Sequence, residues 1–270
     1  MTEANAAEHR RWNDEHWVAV WPKREAMTDM ITPFLLEALA LKPGERVLDV
    51  GCGGGKATIA AARAVAPGGH VTGADISVGL TELASQRAAD AGADNVSFRV
   101  VDVQQETVAA APFDAIMSQF GVMFFDEPAT AFANIHAQLS PGGRIAFSCW
   151  QTMDRNPWFV GAALAGLVPP PPPPEPGKSP TGPFALGDAE RTQAILESAG
   201  FANVRCTTHD LTPDVPQDAV IDDAQLRFIG VPDDKMAAAS AAVAKHLAQF
   251  ATGPGLVKVP LAFQIFQATS

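Results

Sequence analysis

Apolar positions along this chain repeat with two periods, and the places where the period changes divide it into elements. Short apolar runs occur at Val47, Leu48 and Val50, and again within 70–75, 96–101, 113–118 and 144–149. Each reads as a strand. Between them lie segments of helix-forming composition: 56–63, 77–91 and the stretch after Asp126-Glu127-Pro128 that carries Phe132, Ile135 and Leu139. Strand and helix in strict alternation predict a mostly parallel, doubly wound α/β sheet with its ligand at the carboxyl ends of the strands.

Outside that stretch the pattern is less regular. Met27, Met30, Ile31, Phe34, Leu35 and Ala38 stand at helical spacing, interrupted by Pro33, which reads as a kink or as the start of a second helix with Thr32 as its cap. Asn156-Pro157-Trp158-Phe159 opens an apolar segment that predicts a helix over 156–168. An unbroken proline run, 169–174, then lies in a Pro/Gly segment reaching Pro183. It favours polyproline II and reads as a strap or lid, or as a ligand for a proline-binding module. A helix over 187–200 and a strand over 204–211 follow. Residues 217–234 are mixed, and Met236, Ala239, Val243, Leu247 and Phe250 then line one helical face. Val257, Val259, Leu261, Phe263 and Ile265 alternate, so one last strand is expected, with Pro260 near an edge.

Composition narrows the partners. The 270 residues carry a formal net charge of -11, which argues against nucleic acid and against an anionic membrane surface. No apolar run approaches the roughly 20 residues that span a bilayer, and Cys52, Cys149 and Cys206 lack metal-ligand spacing. A cytoplasmic protein with reduced thiols, no metal and no stable membrane insertion is expected, with room for a homo-oligomer.

Chemistry concentrates at 46–55, R-V-L-D-V-G-C-G-G-G. Strand, glycine turn and helix start offer free N–H groups to a nucleotide-like ligand. A Walker loop does not fit, because Val50 and Ala57 stand where it needs Gly and Ser or Thr. Lys56 occupies the last glycine position of a dinucleotide fingerprint, which disfavours a nicotinamide dehydrogenase. Asp49-x-Gly51-x-Gly53-x-Gly55 instead resembles the first motif of the class I S-adenosylmethionine-dependent methyltransferases. A second resemblance is L-S-P-G-G-R-I-A-F at 139–147. The likeness covers most of the chain and is nearest to the ubiquinone and menaquinone biosynthetic group. It implies a Rossmann-like, seven-stranded sheet whose last strand inserts antiparallel. The implied layout is a helical flap over 1–42, a cofactor-binding core over 43–150, a Pro-rich cap over 151–186 and a part completing the sheet over 187–270.

Candidate site residues follow. Asp75 ends the second strand 20 residues beyond Gly55, where a carboxylate can take both ribose hydroxyls, or cap the helix over 77–91. The resemblance implies that Asp102 meets the adenine amino group and that the Val103 N–H meets a ring nitrogen. It also implies that the segment from Arg11 to Trp17 covers the methionine end of the cofactor. The cofactor set is thus Trp12, Trp17, Asp49, Gly51, Cys52, Gly53, Asp75, Ile76, Asp102, Val103, Ser118 and Gln119. Phe120, Met123, Phe124, Trp150 and Trp158 are the candidate substrate pocket, favouring a small, apolar or aromatic acceptor.

Methyl transfer to O, N or C of such an acceptor, leaving S-adenosylhomocysteine, is the expected reaction, achieved mainly by alignment. The loop 119–125 has no histidine, so His9 and His16 on the flap are the candidate bases. A non-methylating enzyme or a regulatory protein that binds the same cofactor is the alternative.

Overall fold

The computed structural model describes residues 5–161, 163–168 and 181–270. Its elements in chain order are α1 (Ala6–Trp12), α2 (Glu15–Ala26), α3 (Thr32–Leu39), β1 (Arg46–Val50), α4 (Lys56–Val65), β2 (His70–Asp75), α5 (Val78–Asp90) and β3 (Val96–Val100). Then come β4 (Phe113–Gln119), α6 (Pro128–Ala137), β5 (Leu139–Trp150), α7 (Ala189–Ser198) and β6 (Ala202–Leu211). A segment of β7 (Asp214–Pro216), α8 (Gln217–Val220), α9 (Asp223–Phe228), α10 (Met236–Leu247), β8 (Ala251–Gly253) and β9 (Leu256–Lys258) precedes the final β10 (Leu261–Thr269).

Seven strands form one sheet in the order β3-β2-β1-β4-β5-β10-β6. The first five are parallel, as alternation with helices requires. β10 runs antiparallel between β5 and β6. The expected doubly wound sheet with an inserted antiparallel strand is therefore the fold. Its strand order reverses between β1 and β4, and there the chain ends of adjacent strands diverge to leave a crevice. Two apolar layers cover the sheet. Leu35, Leu39, Val47, Ala61, Val65 and Met117 fill one, and Leu48, Ile116, Phe132, Phe147 and Phe266 belong to the other.

Four expectations about local structure change. Residues 156–161 and 163–168 form turns, not a helix. Asn156, fully buried, decides this: its amide donates to the Ala262 carbonyl at 2.9 Å and accepts the Ala262 N–H at 3.0 Å, which ties the chain to β10. Those long-range bonds outweigh the apolar, helix-like composition. The expected last strand splits in two at Pro260, which has no N–H to give. β9 joins a small sheet, β7-β9-β8, while β10 is an inner strand of the large sheet, so the proline marks a junction and not an edge. α3 starts at Thr32 with Pro33 as its second residue, so Thr32 is inside the helix and not its cap; the Thr32 hydroxyl donates to Gln119 Oε1 at 2.9 Å. Ser77, not Asp75, caps α5 through a bond from the Leu80 N–H. The proline run 169–174 and its expected role as a strap lie outside the described residues. No described helix is long and apolar enough to cross a membrane.

Candidate functional site

Each of the first five strands delivers a residue to one cavity of about 240 Å³ at the carboxyl end of the sheet: Asp49 and Val50 from β1, Asp75 from β2, Val101 and Asp102 just past β3, Gln119 from β4 and Trp150 from β5. Parallel strands share one direction, so what the sequence places at their ends is gathered in space. The turn after β1 forms the floor. Gly51 has φ of +68°, and a Cβ there would stand 2.7 Å from the Cα of Gly121 in the loop after β4, so the two backbones touch at the switch point.

The carboxylates are held differently. Asp49 is buried; its Oδ2 accepts from the Thr58 hydroxyl at 2.6 Å, and its Oδ1 has no hydrogen-bond partner among the described residues. Burial, with the neighbouring Asp75 adding to it, pushes the Asp49 carboxyl up to about 7. Asp75 accepts the Gly53 N–H at 2.8 Å through Oδ2 and the Ser77 N–H at 2.9 Å through Oδ1. Burial raises it too, opposed by those backbone donors. Each carboxylate oxygen has two lone pairs, so both oxygens retain accepting capacity toward the cavity. Asp102 accepts the Gln104 N–H at 3.0 Å, which fixes the carboxylate against the loop after β3.

The opposite wall is the N-terminal segment. Glu8 is buried, and its Oε2 accepts from Trp12 Nε1 at 2.8 Å, one helical turn along α1. Burial raises the Glu8 carboxyl against the pull of Arg11. The Arg11 guanidinium sits 5.6 to 5.8 Å from the rings of Trp12, Trp17 and Phe124, within cation–π range. Trp12 meets Phe124 edge to face, 5.1 Å between centroids. Trp21 on α2 lies over the glycine turn so closely that a Cβ at Gly53 would stand 2.3 Å from its ring. Behind it, Arg24 donates to the carbonyls of Ala219 and Val220 in α8, and burial lowers its guanidinium to about 10. Lys23 bridges Asp218 at 2.8 Å and Asp222 at 3.2 Å. The segment between β6 and β10 thereby clamps α2 from behind.

Of the candidate residues, Trp12, Asp49, Gly51, Cys52, Asp75, Ile76, Asp102, Val103, Gln119, Phe120, Met123, Phe124 and Trp150 line the cavity. Gly53 does not line it but hydrogen-bonds Asp75. Ser118 is buried behind the wall, where its hydroxyl accepts the N–H groups of Gly121 and Val122 and shapes the loop. Trp17 packs behind Trp12, and Trp158 packs edge-on to Trp150. Among the described residues no histidine lines the cavity. His9 Nε2 lies 3.7 Å from Asp102 Oδ2, and His16 packs against Trp17. The sequence reading did not put Asn5, Glu8, Trp21, Arg24 or Pro183 in the lining, where the structure brings them. Only Trp21 carries a signal in the sequence, because Trp12, Trp17 and Trp21 are three of the five tryptophans and lie within ten residues.

Residues 41–165 match the family described as a methyltransferase domain. Over 105 residues the chain is 40% identical to aklanonic acid methyltransferase DauC of Streptomyces sp. strain C5, an alignment spanning 39% of this chain and 48% of that relative's length. It is 29% identical over 250 residues to nocamycin O-methyltransferase of Saccharothrix syringae, covering 85% of this chain and 87% of the relative. In fold it is similar to the YcgJ protein of Bacillus subtilis, with a TM-score of 0.61, 16% identity and coverage of 88% and 97%. It is likewise similar to the [4+2]-cyclase SpnF, with a TM-score of 0.56, 22% identity and coverage of 90% and 80%. The stretch that matches the methyltransferase domain contains all five parallel strands and the glycine turn that floors the cavity, so the likeness falls on the part of the chain that builds the site.

Proposed function

We propose that the protein moves a methyl group from S-adenosylmethionine to a small, apolar or aromatic acceptor. The observation that carries this reading is the division of one cavity: carboxylates from the ends of β1, β2 and β3 on one side, and Phe120, Met123 and Trp150 on the other. The cofactor, when bound, supplies a methyl on a sulfonium sulfur that departs as a neutral thioether. Three features of the cavity fit that group. Asp49 Oδ1 and Trp21 Nε1 are a buried acceptor and a buried donor without partners among the described residues, and Gly51 and Cys52 bring the turn to the cavity floor. Burying polar atoms unpaired is costly, and a polar ligand removes that cost.

In this reading Asp75, with Ile76 beside it, holds the ribose hydroxyls, and Asp102 with the Val103 N–H holds the adenine edge. Gly51, Cys52 and Gly53 form the turn against which the methionine end lies, and Trp12 and Trp21 cover it. Phe120, stacked on Trp150 with centroids 4.3 Å apart, gives the acceptor a flat apolar surface. The protein's contribution is alignment and exclusion of water, with no histidine in the lining among the described residues. The names of the two methyltransferase relatives support a small-molecule acceptor and, for nocamycin, an oxygen atom.

Calorimetric titration with S-adenosylmethionine, S-adenosylhomocysteine and NAD tests the cofactor assignment. Binding of the first two and not of NAD is expected. Transfer of labelled methyl to a panel of small aromatic and lipophilic hydroxy compounds and acids then tests the acceptor class. Binding without transfer to any member would favour a non-methylating use of the scaffold.

A further inference from the structure

We infer that Asn5 is a second reader of the adenine amino group, acting beside Asp102. The inference rests on the reading of Asp102 given above. Asn5 is 3% exposed and lines the cavity. Its Nδ2 lies 3.3 Å from each carboxylate oxygen of Asp102, while its Oδ1 is buried and has no hydrogen-bond partner among the described residues. An amide carries two donors and one acceptor, so the donor half is engaged and the acceptor half is open.

The backbone holds residue 5 in place. Its N–H donates to Asp126 Oδ2 at 2.8 Å, and its carbonyl accepts the His9 N–H at 2.9 Å in the first turn of α1. Its φ is +63°, the left-handed region that asparagine enters more readily than other residues with a side chain. Residue 5 is therefore pinned by backbone bonds from two directions, and its side chain is presented to the cavity without being needed to hold the helix. The position calls for a residue that accepts positive φ and brings an acceptor, and asparagine has both properties.

An exocyclic aromatic amine has two N–H bonds. Asp102 takes one, and Asn5 Oδ1 is the acceptor for the other. A base carrying an oxo group at that position would face lone pairs from both side chains and leave Asn5 Oδ1 still unpaired, so the two residues together select an amine over a carbonyl. Gln105 Nε2, 3.4 Å from Asp102 Oδ2, and His9 Nε2, 3.7 Å from the same oxygen, help to orient the carboxylate.

Binding of S-adenosylhomocysteine and of S-inosylhomocysteine, which has an oxo group in place of the amine, is measured by calorimetry for the wild type, Asn5→Gly and Asp102→Ala. Glycine keeps the left-handed backbone and removes only the side chain. Asn5→Gly is expected to bind S-adenosylhomocysteine about tenfold more weakly and S-inosylhomocysteine with little change, so the preference for adenine shrinks about tenfold. Equal losses for both ligands would show a purely structural role and overturn the inference. Tighter binding of S-adenosylhomocysteine would also overturn it, by showing that Asn5 blocks Asp102. Asp102→Ala is the control: an unchanged preference there removes the reading of Asp102 itself, whereas a changed one with Asn5→Gly unaffected removes only the role of Asn5.

Discussion

The wall of the cavity made by the ends of β1, β2 and β3 differs from the wall made by α1, α2 and the loop after β4 in the sequence distance its contacts span. In the first, Thr58 bonds Asp49 across 9 residues and Gly53 bonds Asp75 across 22. In the second, Asn5 reaches Asp102 across 97 residues and Arg24 reaches Val220 across 196. The near contacts follow once each strand-turn-helix unit forms. The far ones exist only after the whole sheet has assembled and the segment between β6 and β10 has folded back on α2. A site built this way keeps its polar floor fixed by the sheet, while its cover is held by a separable set of bonds.

That contrast can be broken or sharpened in three ways, beginning with the largest effect. Asp75→Ala should weaken S-adenosylmethionine binding about 1,000-fold, because a charged acceptor contributes about 1.5–3 kcal/mol per hydrogen bond and two ribose hydroxyls are at stake. Far-ultraviolet circular dichroism should stay native. Unchanged affinity in calorimetry would remove the β2 carboxylate from the site.

A smaller effect is expected at the clamp. Arg24→Ala removes a mostly buried guanidinium from two carbonyls of α8 and should cost about 2–3 kcal/mol in denaturant unfolding. Lys23→Ala breaks solvent-facing ion pairs with Asp218 and Asp222 and should cost about 1 kcal/mol or less. Equal losses would mean that the ion pairs and not the buried arginine hold the cover down.

The third effect is a slope with pH and not a fixed loss. Asp49 is raised from 3.8 to about 7. The folded state therefore holds a proton in that window that the unfolded state has released. The contribution of this group to stability is full below 3.8 and is lost as pH rises through about 7. Asp49→Asn should flatten that part of the stability curve and gain on the wild type as pH rises. An identical slope in the variant would place Asp49 in contact with solvent or a partner that keeps it ionised.

Legibility in the sequence divides along the same line. The turn at 51–55 and the carboxylates at Asp49, Asp75 and Asp102 could be located because a parallel strand states its own end, and all such ends meet on one side of the sheet. The antiparallel last strand came from the family resemblance, and the fold bears it out. The alternation around Pro260 looked like one strand because the pattern of side chains does not record which sheet each half joins. The helix expected over 156–168 failed for a related reason: one buried asparagine, Asn156, contacts β10 more than 100 residues away, a distance of 106 positions to Ala262. Trp17, Ser118 and Trp158 belong to the right segments but do not line the cavity, since a residue's segment does not fix the direction of its side chain.

What the sequence by itself determined was the doubly wound sheet, the glycine floor and the strand-end carboxylates, all of which depend on periodicity and on residues close together in the chain. Only the tertiary structure decided that Asn5, Trp21 and Arg24 close the same cavity and that the β6–β10 segment clamps α2 there through Lys23 and Arg24. Those contacts join residues on opposite ends of the chain, and hydrophobic periodicity carries no information about which distant surfaces will meet.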